Sequence, residues 1–344
     1  MTIRLLRICL CCVLLLMLHI TLVQPAFSLP AGNREKEASR FLSRIAGSDE
    51  LTQFLETAVA DLLARDRSLK KENLQVSLID LSRADHPWSA HVNGEQRIYP
   101  ASVVKFIYLI AAYRWMEEKK IELDAEWQLN LKKMIRLSDN QATRWVLYKL
   151  TGAGPGEALS HDKYIEFREK RLVVKQWLKT MGLHNLHCVH PTYDGNGDLF
   201  GRDLQFLKDR FFANVTISQP GGFPNRLSVT ALDITRLLAL LATGHLLNPE
   251  NTKAVLNLMK RDITEQKYLE LRIAGGADRI HGMQVYSKSG TYGETFADVG
   301  IVQAEDSTQL VLAVFIQRKK AHRIDFIAEL TERCIRHLLQ SARQ

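Results

Sequence analysis

Cysteine is scarce in this chain where it would matter. Of five cysteines in 344 residues, Cys9, Cys11 and Cys12 fall near the start, leaving Cys188 and Cys334 for the rest. Two thiols exclude a disulfide framework. One bridge stays open to them, because spacing does not show whether they meet; two buried free thiols is the simpler expectation. Material for a metal centre is also short. His184-x-x-His187-Cys188-x-His190 has ligand-type residues close together, but no second cluster completes a coordination set, so no metal is expected. No nucleic-acid module is present and no basic run interleaves with aromatics, which argues against DNA or RNA as partner. Nor is there an internal repeat or a low-complexity tract.

What is there fits a globular protein. Apolar residues make up 46% and charged residues 24%, so disorder is not expected beyond the ends. The length suits one large domain, or two lobes around a shared core. The net charge of +8 reads as a basic solvated surface; attraction to anionic cell-wall polymers is the sharper alternative.

The first residues look like a targeting segment. Arg4 and Arg7 precede an apolar stretch from Ile8 to Val23, and Ala26-Phe27-Ser28 offers a small-x-small cleavage site. A signal peptide over residues 1–28 is expected, placing the protein in the periplasm or outside the cell. If uncleaved, the segment would anchor the protein to the membrane. Cys11 and Cys12 lack the small residues that precede a lipidated cysteine. Residues 29–48 are polar and read as a flexible lead-in.

Ser48 looks like the N-cap of a helix whose inner face carries Leu51, Phe54, Leu55, Ala58, Leu62 and Leu63. Strands are expected at Leu74–Leu81, Trp88–Val92 and near Arg97–Pro100. After Ser102 the pattern turns helical to Met116, then again over Leu129–Leu137, Asn140–Leu150, Tyr164–Met181, Thr230–Thr243 and Pro249–Met259. Thr230-x-x-Asp233 has capping-box spacing. Strands return at Met283–Lys288, Asp298–Gln303 and Leu310–Gln317, before a helix over about 323–340. The order predicts an α+β (α/β) fold: an antiparallel sheet built from both chain ends and flanked by helices, with an all-helical insertion lobe. The α/β lobe would span about 49–101 and 275–340, and the helical lobe about 102–274.

Three short motifs carry chemistry. Ser102-Val103-Val104-Lys105 opens a helix, and a spacing of three puts both side chains on one face. Lys105, if desolvated, could then take the Ser102 proton. Alone this is weak, since Ser68-x-x-Lys71 and Ser160-x-x-Lys163 also match. Ser138-Asp139-Asn140 lies between helical segments: its hydroxyl could relay a proton and its carboxamide could bind a substrate amide, although Ser138 could equally cap the next helix. Lys288-Ser289-Gly290 ends a strand. It offers a positive charge and a hydroxyl for a carboxylate, and a glycine that lets a substrate backbone approach.

Together, in this order, the motifs resemble the S-x-x-K, S-D-N and K-[ST]-G set of class A β-lactamases and penicillin-binding proteins. The flanks Tyr99-Pro100-Ala101 and Met134-Ile135-Arg136-Leu137 agree, as do Gly293 and Ala297-Asp298. The resemblance spans about residues 49–340. It implies that Ser102 attacks a β-lactam or D-Ala-D-Ala carbonyl to form an acyl-enzyme. Lys105 would transfer protons, Ser138 relay them, and Asn140 orient. Lys288 and Ser289 would anchor a carboxylate, while backbone N–H groups of Ser102 and near Tyr292 would form the oxyanion hole. It implies a small β-lactam or wall-peptide substrate, no cofactor, no obligate protein partner, and a monomer.

One family feature is out of place. The E-x-x-L-N motif, whose Glu activates the deacylating water, should follow Ser-Asp-Asn. Glu126-Trp127-Gln128-Leu129-Asn130 fits the letters but precedes it, in a helical run. Glu166 and Glu169 read as a solvated helix face. The corresponding loop, about His190 to Gly201, carries Asp194 and Asp198, either of which could substitute or merely shape a turn. Motif spacing is short before Ser138 and long after Asn140. Acylation is better supported than turnover, leaving a D-alanyl-D-alanine carboxypeptidase or an adduct-holding sensor as alternatives.

Overall fold

A computed structural model describes residues 31–341 except 84, 193–198, 212–222, 224, 265, 306–308 and 322–323. The chain begins with α1 (Ala31–Arg44), β1 (Ala46–Gly47), α2 (Asp49–Arg65), β2 (Leu74–Asp80), β3 (Trp88–Val92) and β4 (Arg97–Ile98). A 3-10 turn at Ala101–Val103 leads into α3 (Val104–Glu117). Then come α4 (Ala125–Lys132), a π-helical turn (Lys133–Leu137), α5 (Asn140–Thr151), α6 (His161–Arg171), α7 (Val173–Thr180) and α8 (Gly201–Lys208). The remainder is β5 (Val229–Thr230), α9 (Ala231–Ala242), α10 (Pro249–Met259), β6 (Lys260–Arg261), α11 (Ile273–Asp278), β7 (Gln284–Tyr292), β8 (Thr295–Gln303), β9 (Gln309–Gln317) and α12 (Phe326–Ser341).

The main sheet has the order β1-β3-β2-β9-β8-β7-β6. Among the described residues, only β1 runs parallel to its neighbour; β2, from the first part of the chain, pairs antiparallel with β9, from the last. This is the expected fold class. The apolar run Leu310–Ile316 explains the centre. Successive side chains of a strand face opposite ways, so Leu310, Leu312, Val314 and Ile316 enter one core while Val311, Ala313 and Phe315 enter another. In the first core lie α2, α11 and α12; in the second, α1, α3, α4, α5, α7, α9 and α10, while α6 and α8 pack a smaller third core around Tyr164, Phe167 and Phe206. A strand buried on both faces has no use for alternation in polarity.

Helix α3 sits deep in the second core, buried on all sides from Val104 to Ala112. That is the expected place for a helix apolar all round. Its N-terminal approach is fixed by a small two-stranded sheet, Arg97↔Thr230 and Ile98↔Val229. Thr230 also caps α9, its side chain accepting from Asp233 N.

Two expectations need correction. Residues 29–48 are not a flexible lead-in over their described part. Helix α1 packs Ala38, Phe41 and Leu42 into the core, with Phe41 stacked on His245 at 4.4 Å, and β1 joins the sheet edge. The polar residues of α1 pair inward: Glu35 accepts from the buried Arg114 at 2.7 Å and from Trp177 Nε1 at 3.3 Å, while Arg34 meets Glu117 at 3.5 Å. Also, Tyr164–Met181 is not one helix, because the chain turns at Leu172 between α6 and α7. The signal-peptide expectation lies outside the described residues. Cys188 and Cys334 are both buried free thiols, as expected.

Candidate active site

Ser102 lies in the 3-10 turn ahead of α3, and the residue before it, Ala101, has φ of +48°. A left-handed alanine is unfavourable, and such backbone is kept where its surroundings hold it. Here β7 holds it. A Cβ added to Gly290 would stand 2.7 Å from Pro100 O, 3.1 Å from Val103 Cγ2 and 3.2 Å from Val103 N. The close approach that this glycine permits is therefore made by the chain's own Ser102 turn. Lys288, Gly290 and Tyr292 alternate onto one face of β7. Tyr292, 38% exposed, sets its ring edge-on to Tyr99 at 5.8 Å.

Lys105, three residues beyond Ser102, is fully buried. Its Nζ donates to Ser138 O at 2.5 Å, Asn140 Oδ1 at 2.6 Å and Ser138 Oγ at 3.3 Å. Three acceptors match the three protons of an ammonium. Burial nonetheless pushes this lysine down from 10.5 to about 7, with Asp139 opposing the shift. Taking a charge out of water disfavours the charged form, so near neutrality the amine gives up its proton readily.

Ser138 occupies an unusual backbone position, φ 55° and ψ 34°, ending the π-helical turn. It does not cap α5, as one sequence reading had it. Asp139 does, accepting from Ala142 N at 2.6 Å. The left-handed kink frees Ser138 to face the two lysines, for Lys288 Nζ also donates to its Oγ at 3.0 Å. With two donors on its oxygen, the Ser138 hydroxyl has its own proton left to give in a third direction.

Lys288 is 1% exposed and donates as well to Ser289 O at 2.9 Å. Burial, and then the charges of Lys105 and Arg261, hold it well below the ordinary lysine range, with Asp298 opposing. Asp298 lies fully buried on β8, opposite Ser289 in the strand register, and accepts from Ile273 N at 3.2 Å. Its own carboxyl is raised by burial, against the pull of Arg272 and Arg261. Arg272 reaches Thr291 Oγ1 at 2.7 Å, and Arg261 Nε reaches Ser287 O at 2.9 Å. Arg261, Arg272 and Thr192, whose hydroxyl donates to Asn140 Oδ1 at 2.8 Å, had not been singled out from the sequence. Each depends on a distant partner, and none sits in a periodic or motif context.

The remaining candidates fall elsewhere. Glu126 is exposed on α4, and Glu166 and Glu169 are exposed on α6. Asp194 and Asp198 lie outside the described residues. The histidines near Cys188 do not converge. His184 is exposed, whereas His187 sits between Lys175 Nζ at 2.9 Å and Asn225 Oδ1 at 2.7 Å, and burial lowers it to about 3. His190 instead pairs its Nδ1 with Pro191 O at 2.9 Å.

A family model described as the β-lactamase enzyme family matches residues 53–132 and 126–338. No curated protein sequence matches the chain. Among solved structures, PBP-A is 18% identical, with a TM-score of 0.59 over 84% of this chain and 97% of that one. The TLA-1 extended-spectrum β-lactamase is 15% identical, with a TM-score of 0.60 over 84% and 99%. A β-lactamase from Sphaerobacter thermophilus DSM 20745 is 17% identical, with a TM-score of 0.57 over 83% and 97%. At such identities the likeness is one of fold.

Proposed function

The chain is a member of the β-lactamase enzyme family, and on that premise we propose that it is an exported serine hydrolase, acylated at Ser102 by β-lactams or D-Ala-D-Ala-like peptides. The observation that carries this reading is the meeting of the three motifs at one hydroxyl: Ser138 Oγ accepts from both Lys105 and Lys288.

In the proposed reaction Lys105, as neutral amine, takes the Ser102 proton while Ser102 Oγ bonds to the carbonyl carbon. Backbone N–H groups of Ser102 and near Tyr292 hold the oxyanion. As the C–N bond breaks, Ser138 gives its proton to the leaving nitrogen and takes another from Lys105. The product is an acyl ester on Ser102, with the amine released or, in a β-lactam, still tethered. A substrate carboxylate at Ser289 would sit beside Lys288, and its negative charge would restore the ammonium there.

A second reading is favoured by one observation. Among the described residues, the side chains bonded to Lys105 are Ser138 and Asn140, with Thr192 behind them and no carboxylate. That favours a long-lived adduct, as in a penicillin-binding or sensor protein. Intact-protein mass after mixing with benzylpenicillin tests both. A stable adduct on the wild type and none on Ser102→Ala supports the second reading. An adduct that decays as hydrolysed drug accumulates supports a β-lactamase. No mass increase on either protein and no hydrolysed drug, with every β-lactam tried, refutes acylation at Ser102.

A further inference from the structure

Asn140 Oδ1 accepts two hydrogen bonds, from Lys105 Nζ at 2.6 Å and from Thr192 Oγ1 at 2.8 Å. An ammonium can only donate, so the amide atom facing Lys105 is the oxygen. Thr192 must then be a donor too. It stands 52 residues further along the chain and is only 4% exposed. The segment bearing it is tied to the nucleophile helix by a second bond: Tyr108, fully buried on α3, donates its hydroxyl to His190 O at 2.9 Å. Thr192 is β-branched and stiff at its first torsion, so the hydroxyl is delivered from a fixed place.

A carboxamide is nearly symmetric in shape, and a half-turn exchanges its oxygen and nitrogen. Donors aimed at the oxygen oppose that exchange. One of them, Lys105, loses a proton whenever it is ready to act as base, and a neutral amine can accept from an amide N–H as well as donate. The Thr192 hydroxyl does not change its charge through that cycle. We propose that Thr192 is a positioning residue, which keeps the Asn140 oxygen turned toward Lys105, and Nδ2 turned to the opposite side, while the proton moves. This rests on the acylation reading above.

The test uses the mature chain with Thr192→Val, which keeps the shape and drops the hydroxyl, and Thr192→Ser, which keeps the hydroxyl. Thr192→Ala serves if the valine variant fails to fold. The rate of acylation by benzylpenicillin should fall about tenfold in Thr192→Val, the worth of one buried hydrogen bond, and stay within about twofold in Thr192→Ser. In an Asn140→Ala background, Thr192→Val should cost nothing more, because coupled residues are not additive. An unchanged rate in Thr192→Val, or equal losses in both backgrounds, overturns the proposal. A second readout needs no acylation. In protein labelled with [15N]asparagine, the Asn140 side-chain amide, identified by its loss in Asn140→Ala, should give one proton pair in wild type. It should shift or double in Thr192→Val. An unmoved signal overturns the proposal, and it does so even if the wild type proves not to react with β-lactams.

Discussion

Lys105 sets a pH dependence that can be worked from the structure. Its burial lowers it from 10.5 to about 7, which corresponds to about 5 kcal/mol of disfavour toward the ammonium. If the neutral amine takes the Ser102 proton, acylation should fall about tenfold for each pH unit below 7 and level off above it. The assay is the second-order rate of adduct formation with a fluorescent penicillin between pH 5 and 9. Asp139→Asn sharpens it. Asparagine caps a helix as well as aspartate, so α5 should stay intact while the negative charge that raises Lys105 is lost, and the midpoint should move below that of wild type. The same amine marks stability. Below pH 7 the folded and unfolded chains both hold the proton. Between 7 and 10.5 only the unfolded chain does, so wild-type stability should rise with pH there relative to Lys105→Met. A rate flat down to pH 5, or one still climbing at pH 9, would refute the assignment of Lys105 as the base.

Three further outcomes are expected. Gly290→Ala places a methyl 2.7 Å from Pro100 O; urea unfolding should show a loss of about 1–3 kcal/mol, and acylation should fall because the Ser102 turn must shift. Asp298→Asn leaves Arg261, Arg272 and Lys288 without their shared counter-charge. A destabilisation of about 3–5 kcal/mol is expected by the same measurement, and a loss below 1 kcal/mol would contradict it. Phe41→Ala should cost about 3–5 kcal/mol, whereas a truly flexible lead-in would tolerate it without change in thermal midpoint.

How much of this was legible beforehand follows from how local each feature is. Ser102 and Lys105 share one helical turn, but two other Ser-x-x-Lys matches share that spacing, and only the later Ser-Asp-Asn and Lys-Ser-Gly motifs singled this pair out. The strand at Leu74 declared itself by alternation and β-branched residues, and β9 is read correctly to within a residue. The geometry of Ser138 was not legible, because its left-handed backbone is imposed by the π-helical turn before it, and Asp139 was there to take the cap. Helix α1 was misread because few of its residues are apolar. Its hold depends on Arg34 and Glu35 finding buried partners on α3, although Ala38, Phe41 and Leu42 already stood at helical spacing. Thr192, Arg261 and Arg272 could not be ranked from sequence at all, since their meaning lies in what the fold sets beside them, whereas Asp298 stood out only as a flank of the third motif.

The pairing of β2 with β9 sets an order of events as well as a shape. Asn73 and Gln317, hydrogen-bonded at the end of that seam, lie 244 residues apart. A ribosome or translocon releasing the chain from its first residue onward delivers β2 long before its neighbour exists. Until Gln309–Gln317 emerges, the two cores have no common wall, and β7 has not arrived to brace the Ser102 turn. Contacts this distant in sequence are slow to form, and the waiting chain exposes an unpaired strand edge. The Ser102 turn therefore gains its brace only as the last fifth of the chain appears.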